Sequence, residues 1–87
     1  MAQAAIRVGD PGTHGGVTTT GAPTVLIGGL PAARVSDPHV EPSHGAQVIV
    51  GGSATVLIGG LQAARAGDLV SCSAVLIASQ ATVLIGP

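Results

Sequence analysis

The sequence predicts an all-β fold assembled from three copies of one β-hairpin. Three observations indicate it. Short runs of Thr, Val, Leu and Ile recur, a Gly-Gly pair follows two of these runs, and no apolar stripe is sustained at helical spacing. β-Branched residues favour strands, and paired glycines adopt the positive φ angles of a two-residue hairpin turn. We therefore expect short strands joined by tight turns.

The hairpins come from an internal repeat. Residues 23–37 (PTVLIGGLPAARVSD) and residues 54–68 (ATVLIGGLQAARAGD) match almost letter for letter. A third copy is split between the chain ends, because residues 81–87 (ATVLIGP) match its first half and residues 2–10 (AQAAIRVGD) match its second half. Three equivalent copies predict a pseudo-threefold arrangement.

The split copy predicts that the two ends of the chain build the third hairpin together. Residues 82–85 should pair antiparallel with residues 4–7, because a strand left unpaired would expose its backbone N–H and C=O groups. The ends of the chain should then lie within about 10 Å of each other, at the tip of that hairpin.

Composition and charge limit both the size of the core and the classes of partner. The chain has 87 residues, 14 of them Gly, and no aromatic side chain. Three basic residues and four acids leave a net charge of -1, which disfavours binding to nucleic acid. The most apolar stretch, residues 48–61, is too short for a bilayer span, and the first ten residues lack the pattern of a secretory signal. We expect a single domain over residues 1–87, without an added effector domain.

So small a core needs a further stabilising element. At this size, a hydrophobic core alone seldom supplies more than about 3–5 kcal/mol. Cys72 is the only cysteine, so no internal disulfide can form. A metal ion is therefore the leading candidate.

Each copy ends in the pattern Arg-x-x-Asp, and Glu41 is the only charged residue outside it. The pattern consists of Arg7 and Asp10, Arg34 and Asp37, and Arg65 and Asp68. These charges either keep an apolar surface soluble or hold turns in place. We favour the structural role, because Asp accepts hydrogen bonds from turn N–H groups and Arg at a fixed spacing can pair with it. A type II turn is predicted at residues 10–12 (DPG).

The candidate metal ligands follow the Asp residues of this pattern. His14 and Cys72 each stand four residues after the Asp of their copy. In the middle copy His44 stands seven residues after its Asp, which indicates an insertion of three residues, and the same region contains His39. Equivalent loops of a threefold arrangement converge, and three imidazoles with one thiolate match the donors of a closed tetrahedral zinc site. The sequence predicts one structural zinc per chain on these four residues, and no catalytic residue.

Glu41 lies in the same loop, and three roles are open to it. It could hold a ligand in place from outside, replace a histidine as a ligand, or be a solvated loop acid. We favour the solvated acid, because carboxylates are seldom buried without a partner.

Taken together, these features resemble those of the PAAR-repeat family, the spike-tip proteins of the type VI secretion system. Residues 31–34 spell PAAR, and residues 62–65 (QAAR) and 4–7 (AAIR) are variants of it. The resemblance covers essentially the whole chain, although Pro is replaced in two copies and the middle copy is longer. It implies a small pyramidal domain with zinc near its apex, held by the residues that match His14, His39, His44 and Cys72.

The resemblance also implies partners and a location. The base of such a domain sits on the blunt end of a trimeric VgrG spike, and three quasi-equivalent hairpins predict one chain per trimer, bound through largely apolar contacts. The implied role is mechanical: sharpening the spike that punctures a target membrane and carrying effectors, with no enzyme activity, small-molecule substrate or nucleic-acid partner. Such a protein is made in the bacterial cytoplasm and exported by the type VI apparatus without a signal peptide.

Two other classes of function stay open on the residues alone. A stand-alone zinc-binding domain is one, and its catalytic variant, a small zinc hydrolase, would need an open coordination position for water. A fragment of a β-solenoid is the other, and it would be a stable monomer indifferent to VgrG.

Overall fold

A computed structural model describes residues 2–79 and 83–86, and within them the regular structure is entirely β. The all-β prediction is therefore confirmed. The strands are β1 Gln3–Ala4, β2 Val17–Thr18, β3 Ala22–Ile27, β4 Leu30–Ala32, β5 Pro38–Glu41, β6 Gly45–Val48, β7 Leu57–Ile58, β8 Leu61–Gln62 and β9 Leu84–Ile85. They form small antiparallel sheets, with orders β1-β9, β2-β5-β6, β3-β4 and β7-β8. A search of the described residues for a helix able to cross a membrane finds none.

Two of the predicted hairpins form around their glycine pairs. Strand β3 pairs with β4 across Gly28 and Gly29, and β7 pairs with β8 across Gly59 and Gly60. All four glycines have positive φ, at 57° and 86° in the first turn and 59° and 84° in the second. Two consecutive positive φ angles define a type I′ turn, whose twist matches that of the flanking strands. The hairpin prediction is confirmed in both copies.

The third hairpin is built from the two ends of the chain. Strand β1 pairs antiparallel with β9, with Gln3 opposite Ile85 and Ala4 opposite Leu84. The N–H of Ala5 extends the pairing by donating to the carbonyl of Val83 at 2.9 Å. This confirms the antiparallel pairing of the two ends, over residues 3–5 and 83–85. The predicted extension of the ladder to Ile6 and Arg7 is wrong, because these residues pair with the other two copies: the N–H of Ile6 donates to Ala64, and Arg7 forms an isolated bridge with Ala32. The predicted separation of the termini, and the part of the prediction that concerns residue 82, lie outside the described residues.

A closed ring of backbone hydrogen bonds joins the three copies. The N–H of Ile6 donates to the carbonyl of Ala64 at 3.1 Å, the N–H of Ala64 to Ala33 at 3.0 Å, and the N–H of Ala33 to Ile6 at 2.9 Å. These three residues occupy the same position of the repeat, directly before its Arg. Alanine occupies two of these positions and Ile6 the third, and all three residues are fully buried. The pyramidal outline and the pseudo-threefold symmetry stay predictions.

The ring separates two apolar clusters, because consecutive residues in an extended segment face opposite sides. The hairpin-side cluster consists of Ala5, Ala22, Ile27, Ala32, Ile58, Ala63 and Ile85. The loop-side cluster consists of Ile6, Ala33, Ile49, Ala64, Val70, Ala74 and Leu76, with Cys72 and Ala78 packed against it. The hairpins thus pack on one cluster, and the loop that carries Cys72 packs on the other.

The Arg-x-x-Asp pattern encodes a turn in every copy. The N–H of each Asp donates to the carbonyl of its Arg at 3.0 Å. The residue before the Asp has positive φ in each case, at 92° for Gly9, 79° for Ser36 and 92° for Gly67, as a type II turn requires. The Asp carboxylates accept hydrogen bonds from the Arg backbone N–H groups, which confirms the structural role of the pattern.

The turn predicted at residues 10–12 is wrong. Pro11 and Gly12 instead form isolated β-bridges with Val17 and Leu76. The reason is that the carboxylate of Asp10 holds the preceding turn, through its hydrogen bond from the N–H of Arg7 at 2.9 Å. The chain therefore turns before Asp10 and is extended after it.

Candidate metal centre

Three predicted ligands occupy the same place in three tight loops. His14, His44 and Cys72 each directly precede a residue with positive φ: Gly15 at 86°, Gly45 at 70° and Ser73 at 74°, respectively. In the middle copy the loop is extended into the β5–β6 hairpin. Its extra residues account for the longer spacing between Asp37 and His44. The structure therefore supports the alignment that makes these three residues equivalent.

The structure brings His14, His44 and Cys72 together, and Glu41 lies among them. One ligand atom from each of these four residues lies within 4.8 Å of the other three. The Oε1 atom of Glu41 is 2.9 Å from Nδ1 of His44, 3.3 Å from Nδ1 of His14 and 3.0 Å from Sγ of Cys72. Sγ of Cys72 lies 3.7 Å from Nδ1 of His14, and the centroids of the two imidazole rings are 5.0 Å apart. We call these four residues the loop cluster.

Glu41 is buried, so its interpretation as a solvated loop acid is wrong. Only 2% of the residue is exposed. The hydrogen bond from the Cys72 thiol, with smaller contributions from His44 and His14, lowers the pKa of the Glu41 carboxyl although burial opposes this. Room for the side chain comes from Gly16, where a Cβ atom would lie 2.5 Å from Cγ of Glu41.

His39 is fully buried next to the loop cluster and outside it. Its Nδ1 atom lies 3.2 Å from Oγ1 of Thr18, and its Nε2 atom lies 3.7 Å from Oε2 of Glu41. Burial lowers the pKa of His39, against the opposing charge of Glu41. The ring packs where Gly12 has no side chain, since a Cβ there would lie 2.9 Å from Nε2. Of the four predicted ligands, the structure therefore groups His14, His44 and Cys72. His39 lies outside this group and faces the second carboxylate oxygen of Glu41.

Two sequence signals point to Glu41. It stands four residues after Asp37, the same spacing that His14 and Cys72 have from their own Asp residues. It also lies two residues after His39 in strand β5, and side chains at that spacing face the same side of a strand. Neither signal is as general as the expectation that a lone acid in a loop is solvated, which is why the sequence favours that role for Glu41.

The donors of the loop cluster are compatible with zinc. Imidazole, thiolate and carboxylate are its usual protein ligands. Burial and the hydrogen bond to Glu41 raise the pKa of the Cys72 thiol, so the metal-free protein keeps this sulfur protonated at neutral pH. Two buried atoms beside the cluster, Oε2 of Glu41 and Nε2 of His39, have no hydrogen-bond partner within residues 2–79 and 83–86. A buried carboxylate whose other oxygen lies among three further donors is a group that a cation stabilises.

The fold and this centre define a class of protein: a small β domain of three repeated hairpins, whose loops converge on a cluster able to hold a metal ion. The family model of the PAAR motif matches residues 8–78, so the chain belongs to the PAAR-motif family. It is a spike-tip-type protein of the type VI secretion system, and the family is structural rather than enzymatic. A search of curated proteins finds no match to this chain.

Proposed function

We propose that this chain, as one domain over residues 1–87, caps and sharpens a trimeric VgrG spike with one copy per trimer. In this role it helps the spike to puncture target membranes and carries effectors, and it acts mechanically rather than as an enzyme. It is made in the bacterial cytoplasm and is exported by the type VI apparatus to the extracellular space or the target cell.

One observation carries the stoichiometry: three equivalent leucines, one on each hairpin, are exposed to the same extent. Leu26 is 60% exposed, Leu57 59% and Leu84 60%. In each copy the following isoleucine is buried in the hairpin-side cluster. A partner with threefold symmetry could meet all three leucines in the same way, without requiring three copies of this chain. We call these residues the leucine triad.

The surface around the leucine triad favours a protein partner. Val25, Val83, Leu30 and Leu61 are each more than a third exposed on the same hairpins. Apolar residues exposed close together are typical of binding surfaces, and short sheets offer strand edges for backbone pairing. The hairpins pack on the hairpin-side cluster and Cys72 on the loop-side cluster, so this binding surface is separate from the loop cluster.

We further propose that the loop cluster holds one structural zinc per chain. Four side-chain donors match the closed coordination of structural sites, which leaves no position for a catalytic water. When bound, the ion would supply bonds that tie three loops together. Structural zinc contributes about 10–16 kcal/mol in small peptides, more than a core of this size supplies.

The VgrG proposal is tested by mixing the full chain with candidate VgrG trimers and measuring the mass of the complex by light scattering. We expect one chain per trimer. Substituting the leucine triad together, as Leu26→Ser, Leu57→Ser and Leu84→Ser, should weaken binding at least about 100-fold, because each buried Leu contributes about 1.5–3 kcal/mol. Zinc content should not change.

A matched control substitutes three other exposed residues, as Val50→Ser, Leu69→Ser and Ile77→Ser, which are 51%, 46% and 45% exposed outside the hairpins. This variant should bind normally. A complex of three chains per trimer, or equal weakening by the control, would contradict the proposal. Zinc uptake without binding to any VgrG would favour the stand-alone zinc-binding domain.

A further inference from the structure

We infer that Glu41, rather than His39, completes the ligand set of the proposed zinc, and that His39 is a positioning residue for Glu41. This inference rests on the zinc site of the proposed function and names its ligands: His14, Glu41, His44 and Cys72. It changes the predicted donor set from three imidazoles and a thiolate to two imidazoles, a carboxylate and a thiolate.

The distances between donor atoms favour Glu41. Zinc bonds of about 2.0–2.3 Å at tetrahedral angles place neighbouring donors about 3.3–3.6 Å apart. From Oε1 of Glu41, the three other donors lie at 2.9, 3.0 and 3.3 Å. Sγ of Cys72 and Nδ1 of His14 are separated by 3.7 Å. Small adjustments, outward for the three contacts of Oε1, would therefore convert these contacts into the edges of a tetrahedron.

His39 is poorly placed to be a ligand. Its Nδ1 atom contacts Thr18, and its Nε2 atom contacts the oxygen of Glu41 that faces away from the other donors. The carboxylate of Glu41 thus lies between the ring of His39 and the other three donors of the loop cluster. Reaching the cluster would require His39 to leave the space that Gly12 provides and to displace Glu41.

The same contacts suit His39 for holding Glu41. If the Thr18 hydroxyl donates to Nδ1, the ring proton is on Nε2 and faces Oε2 of Glu41. These two buried atoms have no other hydrogen-bond partner among the described residues, and they are 3.7 Å apart. A slight rotation of the carboxylate would close that gap into a hydrogen bond. Carboxylates that bind metals are commonly held by such bonds through their second oxygen.

Charge favours the same assignment. A zinc ion with one carboxylate and one thiolate is neutral, whereas a zinc ion with three imidazoles and one thiolate keeps a positive charge. Glu41 and His39 are both buried, and an uncompensated charge is costly in such surroundings. Placing the ion on Glu41 compensates the buried carboxylate and the ion at once.

Zinc X-ray absorption on the full-length wild-type chain tests the assignment without any substitution. We expect one sulfur, two imidazole nitrogens and one oxygen around the ion. Three imidazoles with one sulfur would overturn the inference and leave the proposed zinc site standing. A chain that takes up no zinc would contradict the proposed site itself, and this assignment with it.

Substitutions provide a second test, with zinc affinity and the visible spectrum of the cobalt-loaded protein as readouts. Glu41→Gln should lower zinc affinity more than 100-fold and change the cobalt spectrum. His39→Ala should lower affinity about 10- to 100-fold, as loss of an outer hydrogen bond does. His39→Gln keeps an N–H group near the position of Nε2, so it should restore affinity to within about tenfold of wild type and leave the cobalt spectrum unchanged.

The matched control is His14→Gln, which removes an imidazole that the assignment places on the metal. Circular dichroism of each metal-loaded variant checks that the β fold is retained. If His39→Gln loses as much affinity as His14→Gln and changes the cobalt spectrum in the same way, then His39 is a ligand and the inference is wrong.

Discussion

Arg65 and Asp68 are joined by two side-chain hydrogen bonds, from Nε to Oδ2 at 3.1 Å and from Nη2 to Oδ1 at 3.0 Å. The same Oδ2 atom also accepts the backbone N–H of Arg65 at 2.8 Å. Held in this way, the guanidinium donates from Nη1 to the carbonyl of Gly86, next to β9, at 3.2 Å. One carboxylate therefore fixes a turn and also aims an arginine at the hairpin built from the chain ends.

The equivalent pair in the split copy differs, which provides a comparison. Nε of Arg7 is 4.0 Å from Oδ1 of Asp10, and the hydroxyl of Ser79 donates to that oxygen instead. Asp68→Asn should therefore destabilise the protein by about 2 kcal/mol, because an amide N–H₂ would face a guanidinium. Asp10→Asn should cost less, because the Ser79 hydroxyl can accept from the new amide. Urea unfolding of the zinc-loaded variants measures both, and equal losses would contradict this account.

Zinc binding should release about one proton near neutral pH, and this proton comes from Cys72. The raised pKa keeps the thiol protonated in the metal-free protein, whereas zinc binds the thiolate. The lowered pKa of Glu41 means that its carboxyl is already ionised and releases none. Affinity should therefore fall about tenfold for each pH unit of acidification through this range.

Calorimetry in buffers of different ionisation enthalpy counts the released protons directly. Cys72→Ser is the control: it should release no such proton and bind zinc much more weakly. Full zinc occupancy and unchanged thermal stability in Cys72→Ser would show that the thiol is not a ligand.

A side chain at Gly16 should destabilise the protein, because Glu41 occupies the adjacent space. A Cβ at Gly16 would lie 2.5 Å from both Cγ of Glu41 and the carbonyl oxygen of Val40. Gly16→Ala should cost about 1–3 kcal/mol and weaken zinc binding. Gly86→Ala is the control, since a Cβ there meets no atom within 4 Å. Thermal unfolding with and without chelator compares them, and a neutral Gly16→Ala would refute the close packing.

Ser36 has a backbone conformation that costs free energy in any residue other than glycine. Its φ is 79°, whereas the equivalent positions of the other two copies carry Gly9 and Gly67, both at 92°. A left-handed conformation costs about 1–2 kcal/mol in a residue with a Cβ, and the greater freedom of glycine in the unfolded chain offsets part of this. Ser36→Gly should therefore stabilise the protein by about 0.5–1 kcal/mol, measured by urea unfolding. Ser36→Ala should be nearly neutral, and a destabilised Ser36→Gly would contradict the turn assignment.

A circular permutant should fold, because the paired ends leave the third hairpin open only at its tip. The permutant joins Ile85 to Gln3 through Gly-Gly and opens the chain between Gly59 and Gly60. It should bind one zinc and unfold within about 5 °C of wild type, a difference of about 1 kcal/mol. A permutant opened between residues 35 and 36 should be much less stable, because that cut breaks an Arg-x-x-Asp turn. Equal stability of the two permutants would mean that these turns do not hold the copies together.

Much of the fold can be predicted from the repeat, because its signals are local. A Gly-Gly pair directly after a Thr-Val-Leu-Ile run forms a type I′ turn in both places where the sequence has one, at Gly28-Gly29 and at Gly59-Gly60. The alignment of the split copy likewise predicts that β1 and β9 pair. The position of the first turn could not be predicted in this way. Pro11 and Gly12 favour a turn at residues 10–12, whereas the carboxylate of Asp10 stabilises a turn at residues 7–10, and the second turn is the one that forms.

The sequence by itself predicted that His14, His44 and Cys72 would lie together, because they occupy equivalent positions in the loops of three repeated copies. The sequence could not predict whether His39 or Glu41 would lie among these three residues, since both face the same side of β5. Only the tertiary structure shows that Glu41 lies among the other three residues and that His39 does not. Gly12 leaves room for the imidazole beside Thr18, and Gly16 leaves room for the carboxylate to reach the other donors. Which buried group contacts which neighbour depends on the distances between strands that are remote in sequence, and no local pattern contains them.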